Sequence, residues 1–389
     1  MQKDLSTVIN IYKDYLRMGK NDITMKDDIP SSMIEEIPST SSFISSKQAN
    51  FREYKEIFLF FQTIFFGAPG TGKSHKIDYN LFKDKDGNLI GKGIKEIPED
   101  RKFRTTFHPD YDYAQFVGAY KPRKEDDQDK ITYSFVPQVF AKAYATAWKL
   151  YLDAKGDSRL RGNDDKNGEN DSGKDIQVYL VIEEINRGNC AQIFGDIFQL
   201  LDRDSEGFSQ YSIDADCDFA EWLKENGIGD GKLKLPPNLN ILATMNTSDQ
   251  SLFPMDSAFK RRFDWEYVPI SFDGKDAANY QIDIDGSQYS WQNFVEAVND
   301  KILDLTESED KQLGEFFIKP DNGNIISKER FLGKVMFYLW SEVCKDEHKN
   351  GSFFRAKIND KEDFFTFQDL YKKKDLLKLF MDGLLAPKN

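Results

Sequence analysis

The stretch Thr63-Ile64-Phe65-Phe66-Gly67-Ala68-Pro69-Gly70-Thr71-Gly72-Lys73-Ser74 decides the fold that this sequence predicts. An apolar run leads into a glycine-rich loop that ends in Lys-Ser, which is typical of a strand, a phosphate-binding loop and the start of a helix. The glycines let backbone N–H groups approach a phosphate without a Cβ in the way. We expect all eight residues from Gly67 to Ser74 to line the site. Lys73 would reach the β- and γ-phosphates and the Ser74 hydroxyl would ligate Mg²⁺, so the loop predicts binding of a nucleoside triphosphate.

The composition is that of an acidic chain of ordinary polarity. Of the 389 residues, 39% are hydrophobic and 31% are charged, and the net charge is −13. That charge argues against a broad basic surface, so DNA contact would need a local patch, the pore of an oligomer or a partner chain. Cys190, Cys217 and Cys344 form no Cys-x-x-Cys pair, which disfavours a disulfide scaffold and a structural zinc site. We find neither a signal-peptide pattern nor a membrane-length apolar run, and we expect a cytoplasmic protein without membrane contact.

The hydrophobic pattern divides the chain into three regions. Residues 1–50 predict a short helix and a Ser/Thr-rich, partly disordered linker. Residues 51–270 alternate strand-like and helix-like segments, which predicts an α/β domain with a largely parallel sheet and flanking helices. Within it, residues 121–130 predict a charged loop, and residues 155–175, with one apolar side chain, predict a disordered insertion. Residues 271–389 carry helical apolar faces and predict a smaller, mainly helical, lid-like domain.

Two further strand ends carry polar residues suited to nucleotide hydrolysis. The apolar run Val178–Ile182 is followed by Glu183-Glu184, and the run Asn240–Thr244 is soon followed by Asn246. Ligands of parallel sheets bind at the carboxyl ends of the strands, so we expect these side chains beside the phosphate loop. We predict that Glu183 holds Mg²⁺, that Glu184 orients or deprotonates the attacking water, and that Asn246 contacts the γ-phosphate or that water. The alternative interpretations are a solvated acidic pair and a turn-forming Asn.

A cluster of three cations, Lys260-Arg261-Arg262, follows near a helix end. One interpretation is that the cations are solvated or complement the helix dipole. The other is a catalytic one, since ring-forming NTPases place an arginine here that reaches the γ-phosphate bound by the neighbouring subunit. The fork of an Arg suits that charge better than a Lys does. We favour this interpretation for Arg261 or Arg262, and the sequence does not choose between them.

Five blocks occur in order along residues 60–270: Gly67–Ser74, Glu183–Asn189, Ile193–Leu201, Met245–Asp249 and Asp256–Phe263. Together they resemble the AAA+ superfamily and, within it, the McrB family of motors from modification-dependent restriction systems. Weaker similarity continues to about residue 345. The Glu-Ile-Asn-Arg block is shared with MoxR-like and midasin-like ATPases, whereas the Met-Asn-Thr-x-Asp block is more specific to the McrB family.

The resemblance implies a homo-oligomer, expected to be a hexameric ring, that hydrolyses nucleotide and drives DNA translocation. It also implies a separate McrC-like nuclease subunit that stimulates hydrolysis and cuts the DNA. Asp249 is expected in the nucleotide site, because the Met-Asn-Thr-x-Asp-Arg segment is associated with the GTP preference of the best-known members. Here Gln250 stands in place of that Arg, which leaves GTP and ATP both open. Glu183 stands where the family has Asp and is still long enough to reach a hydrated Mg²⁺.

A domain that reads modified bases is not recognisable in the 50 residues or so before the motor. We therefore expect that another subunit reads the DNA, that the chain is a truncated relative, or that it serves a different defence system. Two other functions stay open. One is a MoxR-like ATPase that remodels protein complexes, and the other is a nucleotide-gated assembly module with little turnover. Stimulation of turnover by DNA or by a partner would distinguish them from a restriction motor.

Overall fold

The computed structural model describes residues 60–386, apart from gaps at 80–81, 84–88, 92, 125–130, 161–175, 230, 250–252, 254, 346–350, 352 and 359–360. The helix and linker predicted within residues 1–50 lie outside the described residues.

The described part of the chain alternates strands and helices up to residue 267 and has only short strands among its helices beyond it. The strands are β1 (Gln62–Gly67), β2 (Phe82–Lys83), β3 (Leu89–Gly91), β4 (Lys102–Thr106), β5 (Gly118–Lys124), β6 (Ile131–Pro137), β7 (Val178–Glu183), β8 (Ile213–Asp214), β9 (Lys232–Leu233), β10 (Leu239–Asn246), β11 (Asp264–Tyr267), β12 (Gln281–Ile284), β13 (Ser287–Ser290), β14 (Ile325–Ile326), β15 (Arg355–Ile358) and β16 (Lys361–Phe364). The α-helices are α1 (Lys73–Tyr79), α2 (Tyr113–Phe116), α3 (Val139–Leu160), α4 (Cys190–Phe194), α5 (Cys217–Glu225), α6 (Ser257–Lys260), α7 (Trp291–Thr306), α8 (Lys328–Arg330), α9 (Asp369–Lys372) and α10 (Leu376–Leu384).

Five of these strands form one sheet in the order β11-β1-β10-β7-β4. Every neighbouring pair is parallel. Parallel neighbours need crossover connections, which explains the helices between successive strands. The register places Gly67 opposite Asn246 and Thr106 opposite Glu183. The carboxyl ends of β1, β10 and β7 therefore lie side by side at one edge of the sheet.

The central strands are buried on both faces, as expected for a parallel sheet covered by helices. Alternate residues of β7 point to opposite sides: Leu180 and Ile182 join the larger core, while Tyr179 and Val181 join a smaller one. The larger core is lined by α3, whose residues Phe140 and Tyr144 are almost completely buried. Continuous apolar runs in the sequence thus correspond to strands with no solvent-exposed face. The predicted α/β class with a parallel sheet and flanking helices is confirmed.

Residues after about 270 build a second core around α7, α10 and the helical segment that starts at α8. After α8 the helix continues as wider π-helical turns, Phe331–Met336 and Leu339–Val343. The sequence predicted a mainly helical region here. The structure adds short strands to it: three form the sheet β13-β12-β14 and two form the hairpin β15-β16. These strands have two to four residues each, which is too short to show an alternating apolar pattern.

The structure corrects two local predictions. Residues 121–124 are not loop, because they belong to β5, which pairs with β6 as an antiparallel hairpin. Residues 155–160 are not disordered, because α3 continues to Leu160. Polar composition misled the prediction in both cases, since exposed hairpins and helix ends need few apolar residues. The rest of the predicted insertion, residues 161–175, lies outside the described residues.

Candidate nucleotide site at the carboxyl edge of the sheet

The loop after β1 has the backbone shape of a phosphate cradle. Gly70 and Gly72 have φ values of 84° and 82°, a region in which glycine carries no steric penalty. Helix α1 starts at Lys73, and the backbone N–H of Lys76 donates to Gly72 O at 2.8 Å. The loop therefore presents successive backbone amides at the start of a helix, where the helix dipole also favours an anion.

Lys73 is buried and lies along the loop that it follows. Its Nζ donates to Gly67 O at 3.1 Å and to Ala68 O at 2.8 Å. Thr71 Oγ1 donates to the same Ala68 oxygen at 3.1 Å. The ammonium group thus sits inside the curve of the loop, where the sequence predicted a phosphate contact.

Glu183, the last residue of β7, lies against the start of α1. Its Oε2 accepts hydrogen bonds from Ser74 Oγ at 2.8 Å and from Thr244 Oγ1 at 2.6 Å. Arg104 Nε lies 3.7 Å from its Oε1, and the Arg104 guanidinium also contacts Asp78 on α1. The two residues predicted to ligate Mg²⁺, Ser74 and Glu183, are therefore in direct contact.

Glu184 adopts a left-handed conformation, with φ 55° and ψ 46°. That region is uncommon for a residue with a Cβ and costs about 1–3 kcal/mol, so the surrounding contacts must hold it. Its backbone N–H donates to Thr244 Oγ1 at 3.2 Å, and its Oε1 accepts from Asn246 Nδ2 at 2.6 Å. Asn186 Nδ2 donates to Asn246 O at 3.0 Å. The sharp turn after β7 thus directs Glu184 toward the end of β10.

The two candidate arginines have different surroundings. Arg262 donates to Asp202 Oδ2 at 2.7 Å and to Ala258 O at 2.9 Å. Its guanidinium lies 4.0 Å from the centre of the Phe198 ring, and its side chain is 8% exposed. Arg261 follows α6 directly and is exposed. The structure therefore separates a buried, paired arginine from an exposed one.

Sequence reasoning missed three residues of this site: Thr244, Arg104 and Asn186. Thr244 is 2% exposed and links the acidic pair, since it donates to Glu183 and accepts from the amide of Glu184. In the sequence it reads as one more β-branched strand residue. The feature that could have identified it is its position two residues before the end of β10, a strand that lies parallel to β7 in the sheet.

The remaining predicted positions are less defined. Asp249 ends a single 3-10 turn, Thr247–Asp249, directly after β10, and Gln250 lies outside the described residues. Within the described residues, no group of three or more His, Cys, Asp or Glu side chains is arranged to hold a metal ion. The Ser74 hydroxyl and the Glu183 carboxylate are hard oxygen donors of the kind that Mg²⁺ uses together with phosphate and water, so they fit that ion. No described helix has both the length and the apolar character needed to cross a membrane.

A phosphate-binding loop after β1, with polar residues at the ends of the adjacent strands β10 and β7, defines a P-loop NTPase. Residues 62–263 match the AAA domain family, dynein-related subfamily. The chain belongs to this family, and its relatives place it among the McrB-like AAA+ NTPases.

Two of these relatives are restriction proteins. The type II restriction enzyme BsuMI component YdiS of Bacillus subtilis (strain 168) is 32% identical over 335 residues, which cover 78% of this chain and 87% of that protein. The type IV methyl-directed restriction enzyme EcoKMcrB subunit of Escherichia coli (strain K12) is 24% identical over 319 residues, which cover 79% of this chain and 56% of that subunit. The chain thus spans about half the length of the latter.

Among solved structures, a proposed ATPase from Cytophaga hutchinsonii covers 89% of this chain and is itself covered to 90%, with 10% identity and a TM-score of 0.24. That score is too low to bear on the fold.

Proposed function

We propose that this chain is the Mg²⁺-dependent, nucleotide-hydrolysing motor subunit of a McrB-like DNA restriction complex that works with a separate nuclease subunit. The two restriction relatives support the biological context, since each aligns with more than three quarters of the chain. One observation carries the hydrolytic part of the proposal. The Ser74–Glu183 and Glu184–Asn246 contacts lie side by side at the ends of β7 and β10, next to the phosphate loop.

In this proposal the phosphate loop and Glu183 bind the substrate. Backbone amides of the loop and the Lys73 ammonium would hold the β- and γ-phosphates. Ser74 and Glu183 would hold Mg²⁺, directly or through water. When bound, that ion supplies positive charge to the phosphate oxygens. Thr244 and Arg104 would keep the Glu183 carboxylate in place, because both contact it from neighbouring strands.

Glu184 is the proposed base that orients or deprotonates the attacking water. Its carboxylate lies one residue beyond Glu183 and is held by the Asn246 amide, which would itself contact the γ-phosphate or the water. Phosphoryl transfer leaves little covalent work to the protein, so positioning and electrostatic stabilisation would supply most of the rate enhancement.

Arg261 is the better candidate for an arginine that acts on a neighbouring subunit. A residue with that role must extend from the surface, and Arg261 is exposed. Arg262 is held by Asp202 and Phe198, so moving it outward would break a paired, nearly buried contact. The hexameric ring, the cytoplasmic location and the McrC-like partner belong to this proposal as well. Asp249 is proposed to border the nucleotide.

Steady-state hydrolysis of ATP and of GTP tests the proposal. The full chain is assayed with Mg²⁺ or with EDTA, with and without duplex DNA, and with and without the partner nuclease. The Lys73→Ala variant serves as the inactive control. We expect Mg²⁺-dependent turnover of at least one nucleotide that rises with DNA or with the partner nuclease. A turnover rate that changes with neither DNA nor nuclease would contradict the restriction role. Turnover in Lys73→Ala equal to that of the unaltered chain would contradict the assigned site.

A further inference from the structure

A segment outside the region that matches the AAA family, Leu313–Phe317, contacts the phosphate loop through its backbone. The N–H of Gly314 donates to Pro69 O at 2.9 Å, and the N–H of Phe316 donates to Gly70 O at 2.8 Å. These are the carbonyls of two consecutive loop residues. No side chain takes part in either bond, so these two hydrogen bonds join the segment to the loop through peptide groups alone.

The peptide geometry gives these two bonds a consequence for the opposite side of the loop. The described chain has no cis peptide bonds, and in a trans peptide the C=O and the following N–H point in opposite directions. A donor on Pro69 O therefore holds the Gly70 N–H away from Leu313–Phe317. In the same way, a donor on Gly70 O holds the Thr71 N–H away from Leu313–Phe317. Backbone amides of a loop like this one are the groups that cradle phosphates.

The two backbones meet without room for a side chain. A Cβ added to Gly314 would lie 2.3 Å from the carbonyl carbon of Gly70 and 2.4 Å from the backbone nitrogen of Thr71. Gly314 is not among the described residues with positive φ, so no left-handed backbone conformation requires a glycine at this position. The absence of a side chain at Gly314 is thus required by the closeness of the loop and not by the local turn.

Buried polar groups hold the segment from behind. The Asn299 side chain of α7 binds both backbone polar groups of Leu313: its Nδ2 donates to Leu313 O at 2.9 Å, and its Oδ1 accepts from Leu313 N at 2.8 Å. Trp291 Nε1 donates to Glu315 O at 2.8 Å. The Glu315 side chain is 0% exposed and pairs with Lys275. The segment is therefore fixed to the second core and cannot adjust independently of it.

We propose that Leu313–Phe317 is a positioning segment that holds the Gly70 and Thr71 amides in the orientation that binds phosphate. Nucleotide affinity would then depend on how the second core packs against the loop, and bound nucleotide would in turn stabilise that packing. This inference rests on the proposed role of the phosphate loop in binding nucleotide. It adds residues beyond position 263 to the determinants of affinity.

The Gly314→Ala variant tests the role directly, and Gly333→Ala is its matched control. Gly333 lies in a helical segment of the same core, and an added Cβ there meets no atom within 4 Å. We expect Gly314→Ala to raise the Kd for a fluorescent ATP or GTP analogue by about tenfold or more, because losing two hydrogen bonds of ordinary strength corresponds to that factor. Gly333→Ala should bind like the unaltered chain.

A second variant keeps the test valid if Gly314→Ala folds poorly. Lys275→Met removes the partner of Glu315 without touching the loop, and Lys275→Arg should restore it. Lys328→Met is the control, because Lys328 is about as exposed as Lys275 but pairs with the surface carboxylate of Asp285. Of these three variants, we expect only Lys275→Met to bind nucleotide more weakly. A thermal unfolding transition in each variant would show that all three are folded.

The outcomes separate the two proposals. If Lys73→Ala abolishes binding while Gly314→Ala and Lys275→Met bind like the unaltered chain, the positioning role is wrong and the proposed function stands. If the unaltered chain binds neither nucleotide, the proposed function fails, and the inference that rests on it fails too.

Discussion

At the scale of single residues, Thr244 connects the two acids that end β7. Its hydroxyl can donate one proton, and it donates that proton to Glu183 while accepting from the Glu184 amide. The left-handed backbone of Glu184 needs such support, because an unsupported residue of this type would relax toward extended or helical values. One small side chain thus orients both the metal-binding and the water-activating candidate.

Thr244→Val should lower both turnover and stability. The shape of the side chain is kept, but the Glu184 amide loses its acceptor in a buried site, which costs about 1–3 kcal/mol. We expect a lower Tm and a kcat reduced by more than the KM changes. Thr244→Ser keeps the hydroxyl and serves as the control. A Val variant with an unchanged kcat would show that the hydroxyl does not position the acids.

Glu184→Gln should separate binding from hydrolysis. The amide cannot accept a proton, and general-base catalysis contributes about 10²- to 10⁴-fold, so we expect kcat to fall by about that factor while nucleotide Kd stays similar. Glu296→Gln, at an exposed acid on α7, is the control. Turnover close to that of the unaltered chain in Glu184→Gln would rule out its assigned role.

At the scale of elements, the turn before α8 depends on one carboxylate. Asp321 Oδ2 accepts from the backbone N–H of Ser327 at 2.9 Å and from its hydroxyl at 2.6 Å, and Arg330 contacts Oδ1 at 2.7 Å. Ser327 occupies the N-cap position of α8, but its hydroxyl binds Asp321 and makes no cap bond. The carboxylate therefore organises the helix start.

The pH dependence of stability should report this carboxylate. Hydrogen bonds from Ser327 and then from Arg330 lower the pKa of Asp321 from 3.8 to about 2. Because the folded pKa is the lower one, the contribution is complete above a pH of about 4 and is lost as the pH falls toward about 2. We expect the Tm difference between the unaltered chain and Asp321→Asn to shrink over that window. Asp304→Asn, at an exposed acid of α7, is the control, and a constant difference would contradict the assignment.

At the scale of the whole molecule, the proposed function requires an arginine from a second subunit to complete the site. Within one chain the described site contains Lys73, the acidic pair and Asn246, while Arg261 is exposed at the end of α6. Arg262 serves its own chain, since it ties α6 to Asp202 and Phe198. We therefore expect replacement of Arg261 and replacement of Arg262 to have different effects on hydrolysis and on stability.

Arg261→Ala should lose hydrolysis without losing stability, whereas Arg262→Ala should lower the Tm. A mixture of two inactive variants tests directly whether Arg261 acts on a neighbouring subunit. Arg261→Ala subunits keep Glu184, and Glu184→Gln subunits keep Arg261, so a mixed ring would contain some complete sites. We expect the mixture to hydrolyse nucleotide faster than either variant alone. A mixture no faster than the sum of its parts would contradict action between subunits.

The sequence by itself determined the loop Gly67–Ser74, the strand ends at Glu183-Glu184 and Asn246, and the α/β class. These features are local: glycine spacing, apolar runs and the residues that directly follow them are all readable along the chain. The family resemblance was local in the same sense, since it rested on short contiguous blocks.

Only the tertiary structure decided which distant residues meet at that edge. Parallel register places Thr244 and Arg104 beside Glu183, and the packing of the second core places Gly314 against Gly70. It also distinguishes Arg261 from Arg262, which are equivalent in the sequence but differ in burial. The physical reason is that contacts between residues far apart in the chain depend on how whole elements pack, and no local pattern records that packing.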